Sequence, residues 1–343
     1  MNKKGWRMTI TMKQWLPAAA LTMMIAGATA VLAQAPASEP QAPKPQGPVV
    51  ATNEFPPVNP KNFTAASPTA AEVNSFLKSI WGYDGNRAWE VAAILKTQAP
   101  GVSKVVVFVS EAGQAGGPKT TVFFTTPDGK HAIADQVIDF GAKPFEANRE
   151  TLVTRANGAA KGATSKDLEL VEFADLECPH CKEAQGTMAQ LAKDFPEARI
   201  VFENYPIAEI HPFAYRAAAE GVCVRKAKGD AAFFTYASTV YDKQAGLTKE
   251  SVDATLAAAV TAAGADPNAV AACANDAATK QDVDASIQLG KDVGVDQTPL
   301  LFVNGHALPI TALPYETLKK IVIFQAGQDG ISVHPPPTLT SLQ

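Results

Sequence analysis

The stretch Leu168-Glu169-Leu170-Val171-Glu172-Phe173-Ala174-Asp175-Leu176-Glu177-Cys178-Pro179-His180-Cys181 decides how this chain is read. Its first seven residues form an apolar-rich run of strand length. Beyond it, residues 182–195 carry Met188, Leu191, Ala192 and Phe195 at helical spacing. The two cysteines therefore stand where a buried strand turns into the first turn of a helix. Unpaired backbone N–H groups and the helix dipole favour an anion there, and a thiolate at Cys178 is such an anion. A protonated His180 adds to the effect, and thiols in such settings titrate at about 3.5–7.5. Pro179 and His180 thus tune reactivity as well as spacing.

Two cysteines separated by two residues form either a redox pair or half of a zinc site. Zinc needs four ligands, usually a second such pair or two close histidines. The other cysteines, Cys223 and Cys273, stand alone, and His131, His211, His306 and His334 are scattered. The redox reading is favoured. Glu172 lies six residues before Cys178, on the same strand face as Leu170 and Ala174. A carboxylate in a buried strand is costly unless protonated or hydrated, so its pKa is expected to rise and it is placed to relay protons. The alternative is a solvated edge residue. Glu177, beside Cys178, is read as exposed and without a role.

Residues 171–177 followed by Cys178-Pro179-His180-Cys181 resemble the DsbA-type thioredoxin-fold oxidoreductases of the bacterial cell envelope. Two distant segments add to the resemblance. Residues 294–305, with Thr298-Pro299 ahead of an apolar strand, are similar to the family's cis-proline loop. Glu203-Asn204-Tyr205-Pro206 and His211-Pro212 resemble its strand exit and helical entry. The resemblance spans residues 165–328 and implies an α/β thioredoxin fold with an inserted helical subdomain, here 211–290. It also implies a buried acid at Glu172 near the second cysteine, and a cis Thr298–Pro299 bond facing the cysteine pair. A backbone exposed at Thr298 would pair with a substrate chain. The best-known C-P-H-C oxidases have valine where Thr298 stands, while the isomerases have threonine, and its hydroxyl can meet the sulfur. The even cysteine count suggests a second disulfide. Relatives pair the helical positions of Cys223 and Cys273, against two unpaired thiols or a second redox pair.

Residues 1–33 hold Lys3, Lys4, Arg7 and Lys13, no acid, and then an apolar run to Ala33. This reads as a signal peptide, with retention as a membrane anchor as the alternative. Either outcome exports the domain to the periplasm or cell envelope, where disulfides persist. Losing those four cations takes the net charge from −4 to about −8, and with no basic cluster left nucleic acid is not an expected partner. Residues 34–62 are a proline-rich linker. Residues 63–150 read as a small α+β domain: a helix over 70–80, then strands over 89–95, 105–110, 120–126 and 131–140, with a tight turn at 126–129. Residues 125–140 faintly resemble the dimerisation domain of the DsbC and DsbG isomerases.

Residues 151–164 read as a flexible joint, and 329–343 as a disordered tail. The insertion is expected to hold helices over 212–226, 231–241, 249–263 and 268–289, with a last helix at 315–326 closing the fold. The activity implied is thiol-disulfide interchange that introduces disulfides into unfolded secreted proteins. A quinone-linked membrane partner of the DsbB or VKOR kind would reoxidise the pair, and no organic cofactor is implied. The alternatives are a dimeric isomerase or reductase of the DsbC type, and a Cu(I)-binding envelope protein, as soft thiolates suit that ion.

Overall fold

A computed structural model describes residues 55–113, 117–134 and 137–333. The signal-peptide reading, residues 34–54 of the linker and residues 334–343 of the tail lie outside the described residues.

The first described helix, α1 (Ala70–Trp81), starts where the sequence places it. Thr69 Oγ1 accepts from the Glu72 amide at 3.2 Å and Glu72 Oε2 accepts from the Thr69 amide at 2.7 Å, a reciprocal capping box. Val73, Phe76 and Leu77 bury one face against an antiparallel meander of β1 (Arg87–Lys96), β2 (Ser103–Glu111), β3 (Lys119–Thr125), β4 (His131–Ile133) and β5 (Val137–Asp139). Val105 and Val107 point at the helix, and the rings of Phe76 and Phe123 lie 5.7 Å apart. The single strand expected over 131–140 is instead two short strands, with Ala132 opposite Ile138. Period-two alternation does not separate one long strand from two joined by a tight turn.

The flexible joint expected at 151–164 is also corrected. Residues 146–155 form α2 (Glu146–Arg155), and Ala159–Gly162 form β6, an edge strand antiparallel to β8 (Arg199–Asn204). The small residues there mark close backbone approach rather than flexibility. A Cβ on Gly158 would lie 1.9 Å from the Phe202 carbonyl oxygen. Gly162, at φ 84°, meets the Ala198 carbonyl in the same way.

The second sheet has the order β10-β9-β7-β8-β6. Its central strand β7 (Glu169–Ala174) is buried at every position and runs parallel to β8. β9 (Leu300–Val303) lies antiparallel on the other side of β7, and Asn304 and Gly305, both at positive φ, turn the chain into β10 (His306–Leu308). α3 (Pro179–Asp194) and α9 (Tyr315–Gln328) pack on one face of this sheet, where Met188, Leu191, Leu318 and Ile321 join one buried cluster. This is a thioredoxin fold with a helical insertion between β8 and β9.

The insertion comprises α4 (Ala214–Lys228), α5 (Asp230–Asp242), α6 (Val252–Ala262), α7 (Pro267–Ala274) and α8 (Ala277–Asp292). The helix expected over 268–289 is thus two helices. Asp266 caps the first, and the chain breaks at Asn275 and Asp276, where an alanine-rich pattern gave no change of phase. Cys223 on α4 and Cys273 on α7 form a disulfide. Past α9, Gly330 turns the chain at φ 75°, the Ile331 amide donates to the Ala326 carbonyl, and Ile331 and Val333 pack on the core. The described start of the tail is therefore ordered against the domain.

The disulfide closes a loop of 50 residues, which by chain entropy is worth up to about 4 kcal/mol. Replacing Cys223 and Cys273 together by alanine is expected to lower the denaturant midpoint accordingly, with the thiol chemistry of Cys178 unchanged.

Candidate functional site

β7 delivers the site. Its six buried residues pin the strand, and the Cys178 amide bonds the Asp175 carbonyl at 3.1 Å to close the turn into α3. Cys178 is the N-cap residue and Pro179 fills the first helical turn, where its missing N–H costs nothing. Cys178 is 5 % exposed and Cys181 is fully buried beneath it. Both are free thiols, while Cys223 and Cys273 lie away in the insertion.

The two thiols are pushed in opposite directions. Cys178 is lowered from the usual 9.0 to about 5, first by a hydrogen bond from the Cys181 thiol, against burial. The Cys181 amide, the Thr298 side chain and the His180 amide add to it. Burial above all raises Cys181 well past the ordinary thiol range, with its bond toward Cys178 next. One exchange-competent sulfur and one masked sulfur result.

Thr298–Pro299 is a cis peptide bond, and the Thr298 carbonyl oxygen lies 3.7 Å from Cys178 Sγ. The expected role of the His180 ring is revised. The ring is exposed and bound to Glu183 at 3.0 Å, and Glu183 more than Cys178 raises its pKa. It is the His180 amide, through the helix start, that reaches the sulfur.

Glu172 is 2 % exposed and accepts from Gln185 Nε2 at 2.9 Å; Gln185 also reaches the Cys181 carbonyl at 3.1 Å. Burial raises its carboxyl to about 7, against the Gln185 bond and the charge of Lys161 on β6. Lys161 is itself held down by burial and lies over the Phe234 ring. Glu172 is thus a buried acid of the site and not a solvated edge residue.

Four other residues carry the site without having been assigned a role. Asp175 is buried and accepts from the amides of Ile207 and Glu177 and from His211 Nδ1, each at 2.8 Å, while its own amide donates to Cys181 Sγ at 3.4 Å. Glu177 is half-buried and accepts from the Phe213 amide at 2.7 Å at the start of α4, which corrects the exposed reading. Its carboxyl is raised, chiefly by burial. Gln244 Nε2 donates to the carbonyls of Leu176 and Cys178. Asp175 and His211 lay within segments already singled out, but only the fold brings them together. Gln244 had no signal. Among the described residues no group of three or more His, Cys, Asp or Glu side chains is arranged to hold a metal ion.

A masked sulfur under a thiolate-stabilising helix start, facing a cis-proline, defines a thiol-disulfide exchange site on a thioredoxin fold. Residues 154–323 match the family model described as Thioredoxin. With its helical insertion, that part of the chain is a thioredoxin-family domain of the DsbA type.

Among solved structures, the chain is similar to ScsC of Proteus mirabilis in a transitional conformation. That match has 20% identity and a TM-score of 0.44, over 53% of this chain and 77% of that one. It is also similar to oxidised BdbD from Bacillus subtilis, with 18% identity and a TM-score of 0.45, over 50% and 93%. The thiol-disulfide exchange protein alpha-DsbA2 from Wolbachia pipientis matches at 21% identity and a TM-score of 0.44, over 51% and 94%. Two curated proteins match over 58 residues at 34% identity: the Na(+)/H(+) antiporters NhaA 3 of Salinispora tropica and NhaA 1 of Salinispora arenicola. The match is 17% of this chain and 9% of each antiporter.

Two titrations follow from these environments. Thiolate absorbance of the reduced protein should appear with a midpoint near 5 and vanish in Cys178→Ser. Because that group is depressed, its stabilisation of the reduced fold is complete above the ordinary thiol range and is lost as pH falls through about 5. The melting temperature of the reduced form, relative to the oxidised form, should therefore fall between neutral pH and pH 4. Glu172 has the opposite sign: its raised carboxyl penalises the fold as pH climbs from 4.5 through about 7. Glu172→Gln should raise the melting temperature at pH 8 and leave it nearly unchanged at pH 4.

Proposed function

We propose that this protein introduces disulfides into unfolded exported proteins through the Cys178–Cys181 pair. The observation that carries the reading is the opposed pair of thiols, Cys178 held at about 5 and Cys181 masked. A stabilised Cys178 thiolate stabilises the reduced form, and a stable reduced form makes the disulfide form an oxidant. In the forward reaction a substrate thiolate attacks Cys178 Sγ. The Cys178–Cys181 bond breaks, its electron pair leaves on Cys181, and Glu172 is placed to supply the proton. A second substrate thiolate then attacks the substrate sulfur of the mixed disulfide and Cys178 departs as thiolate. The substrate is left oxidised and the pair reduced, and a quinone-linked membrane partner of the DsbB or VKOR kind would take the two electrons. The charged, apolar leader places this chemistry in the cell envelope.

A second reading, a dimeric isomerase, is favoured by a specific surface. On the face of the N-terminal sheet turned away from α1, Val122, Phe124, Ile133 and Val137 are 39, 39, 38 and 65 % exposed, and they neighbour one another through the β3-β4-β5 register. An apolar stripe of this kind suits a second copy of the domain, and a dimer would offer two sites to one misfolded substrate.

Equilibration of the pair against glutathione, with Cys178→Ser as the blank, tests the direction of electron flow. A potential near about −120 mV is expected for a disulfide donor, whereas about −230 to −270 mV would overturn the oxidase reading in favour of a reductase or isomerase. Sedimentation of the wild type beside Val137→Glu tests the dimer: a dimer that the substitution dissociates supports the second reading.

A further inference from the structure

Tyr241 lies near the end of α5, is 3 % exposed, and belongs to the buried cluster that contains Cys178 and Cys181. Three residues on, Gln244 donates to the carbonyls of Leu176 at 3.1 Å and Cys178 at 3.0 Å, which holds this end of the helix against the active-site turn. The Tyr241 hydroxyl nevertheless has no hydrogen-bond partner. Tyr236, on the same helix and as deeply buried, donates to the Ala217 carbonyl at 2.9 Å. Buried hydroxyls are almost always partnered, so the exception needs a reason. Its surroundings supply one. Burial holds the proton on the phenol, and negative charge at Cys181, Glu172, Asp175 and Cys178 adds to this, Cys181 the most of the four. The group is therefore a permanent donor among acids.

In the reduced site the other charges are already served. The Cys181 thiol bonds toward Cys178, Gln185 serves Glu172, and two amides with His211 serve Asp175. The balance changes once Cys178 is tied up in a mixed disulfide. Cys181 then loses its acceptor and must shed its proton to attack, in a place where burial opposes the charge and the Asp175 amide, at 3.4 Å, is the donor in place. A donor kept free until charge develops acts on the transition state and not on the ground state.

Resting on the exchange reading above, we propose that Tyr241 is a catalytic residue of the resolving step, its hydroxyl donating a hydrogen bond to the Cys181 sulfur as that sulfur becomes a thiolate. The Cys181 proton passes to the Glu172 carboxylate, and the thiolate attacks Cys178 Sγ. The bond between Cys178 and the partner sulfur breaks and its electron pair leaves on the partner, which takes up a proton. The cysteine pair is oxidised and the partner reduced. By microscopic reversibility the same bond supports Cys181 as the leaving group when a substrate thiolate attacks the oxidised pair. The groups facing this centre are Lys161 on β6, Glu172 on β7, Asp175 with its partner His211, and Cys178 on α3.

The test mixes the reduced full-length protein with oxidised glutathione and follows both steps by stopped flow. For Tyr241→Phe, capture of the first glutathione at Cys178 should proceed as in the wild type. Release of the second should slow at least about tenfold, with its pH profile moved to higher pH, as loss of one such donor implies. The melting temperature should not fall, because the substitution removes only an unpartnered hydroxyl. A release rate and profile within about twofold of the wild type would overturn the proposal. Should the phenylalanine protein fail to fold, 3-fluorotyrosine placed at position 241 alone decides: faster release from the more acidic phenol supports the role, and unchanged release overturns it. Failure of the wild type itself to form the mixed disulfide would instead overturn the exchange reading on which the proposal rests.

Discussion

A negative charge on a sulfur that is only 5 % exposed is the constraint on which the site depends. Water cannot solvate that charge from all sides, so the chain has to supply the donors. They come from different parts of the fold: the Cys181 thiol one helical turn on, two amides of the first turn of α3, and the side chain of Thr298 ahead of β9. The sheet brings them together. β9 lies beside β7 with Phe173 opposite Leu300, so the cis-proline loop ends at the same edge of the sheet as the cysteine turn.

The same burial that sharpens Cys178 masks Cys181 and raises Glu172, so the three groups are one electrostatic system. Cations are kept at its margin: Lys161 beside Glu172 from the edge strand, and His211 on Asp175 from the loop after β8. Asp175 joins the two halves of the site, since its carboxylate ties down the 207–211 loop while its amide contacts the buried sulfur. The helical insertion closes the other side through Tyr241 and Gln244, and the Cys223–Cys273 bond holds α4 and α7 together behind them.

The N-terminal sheet domain is fastened to the far end of the thioredoxin unit. Phe145 stacks on His306 with ring centres 4.0 Å apart, Arg149 pairs with Asp329, and Gln328 donates to the Ser79 carbonyl. His306 is held neutral by burial, its pKa down to about 4, so the stacked pair is an apolar contact at working pH. These contacts fall on β10 and the end of α9, away from the Cys178 end of the sheet, and leave the apolar stripe on β3 to β5 uncovered among the described residues.

The sequence alone determined the elements whose signals are local. A C-x-x-C pair between an apolar strand and an amphipathic helix, a threonine cap with glutamate three residues on, an alternating strand at Val105 and Val107, and an Asn-Gly turn each depend on neighbours a few residues away. Resemblance added the cis-proline loop and the place of Glu172. What only the tertiary structure decided was every feature in which distant residues meet. Gly158 and Gly162 read as a joint because nothing local reveals the strand that presses on them. Glu177 read as solvent-facing because the amide it caps is 36 residues away. Tyr241 looked like any core tyrosine, since the atoms that surround its hydroxyl come from β7, the turn after it and α3. Burial and charge are sums over the whole fold, and no window of sequence contains them.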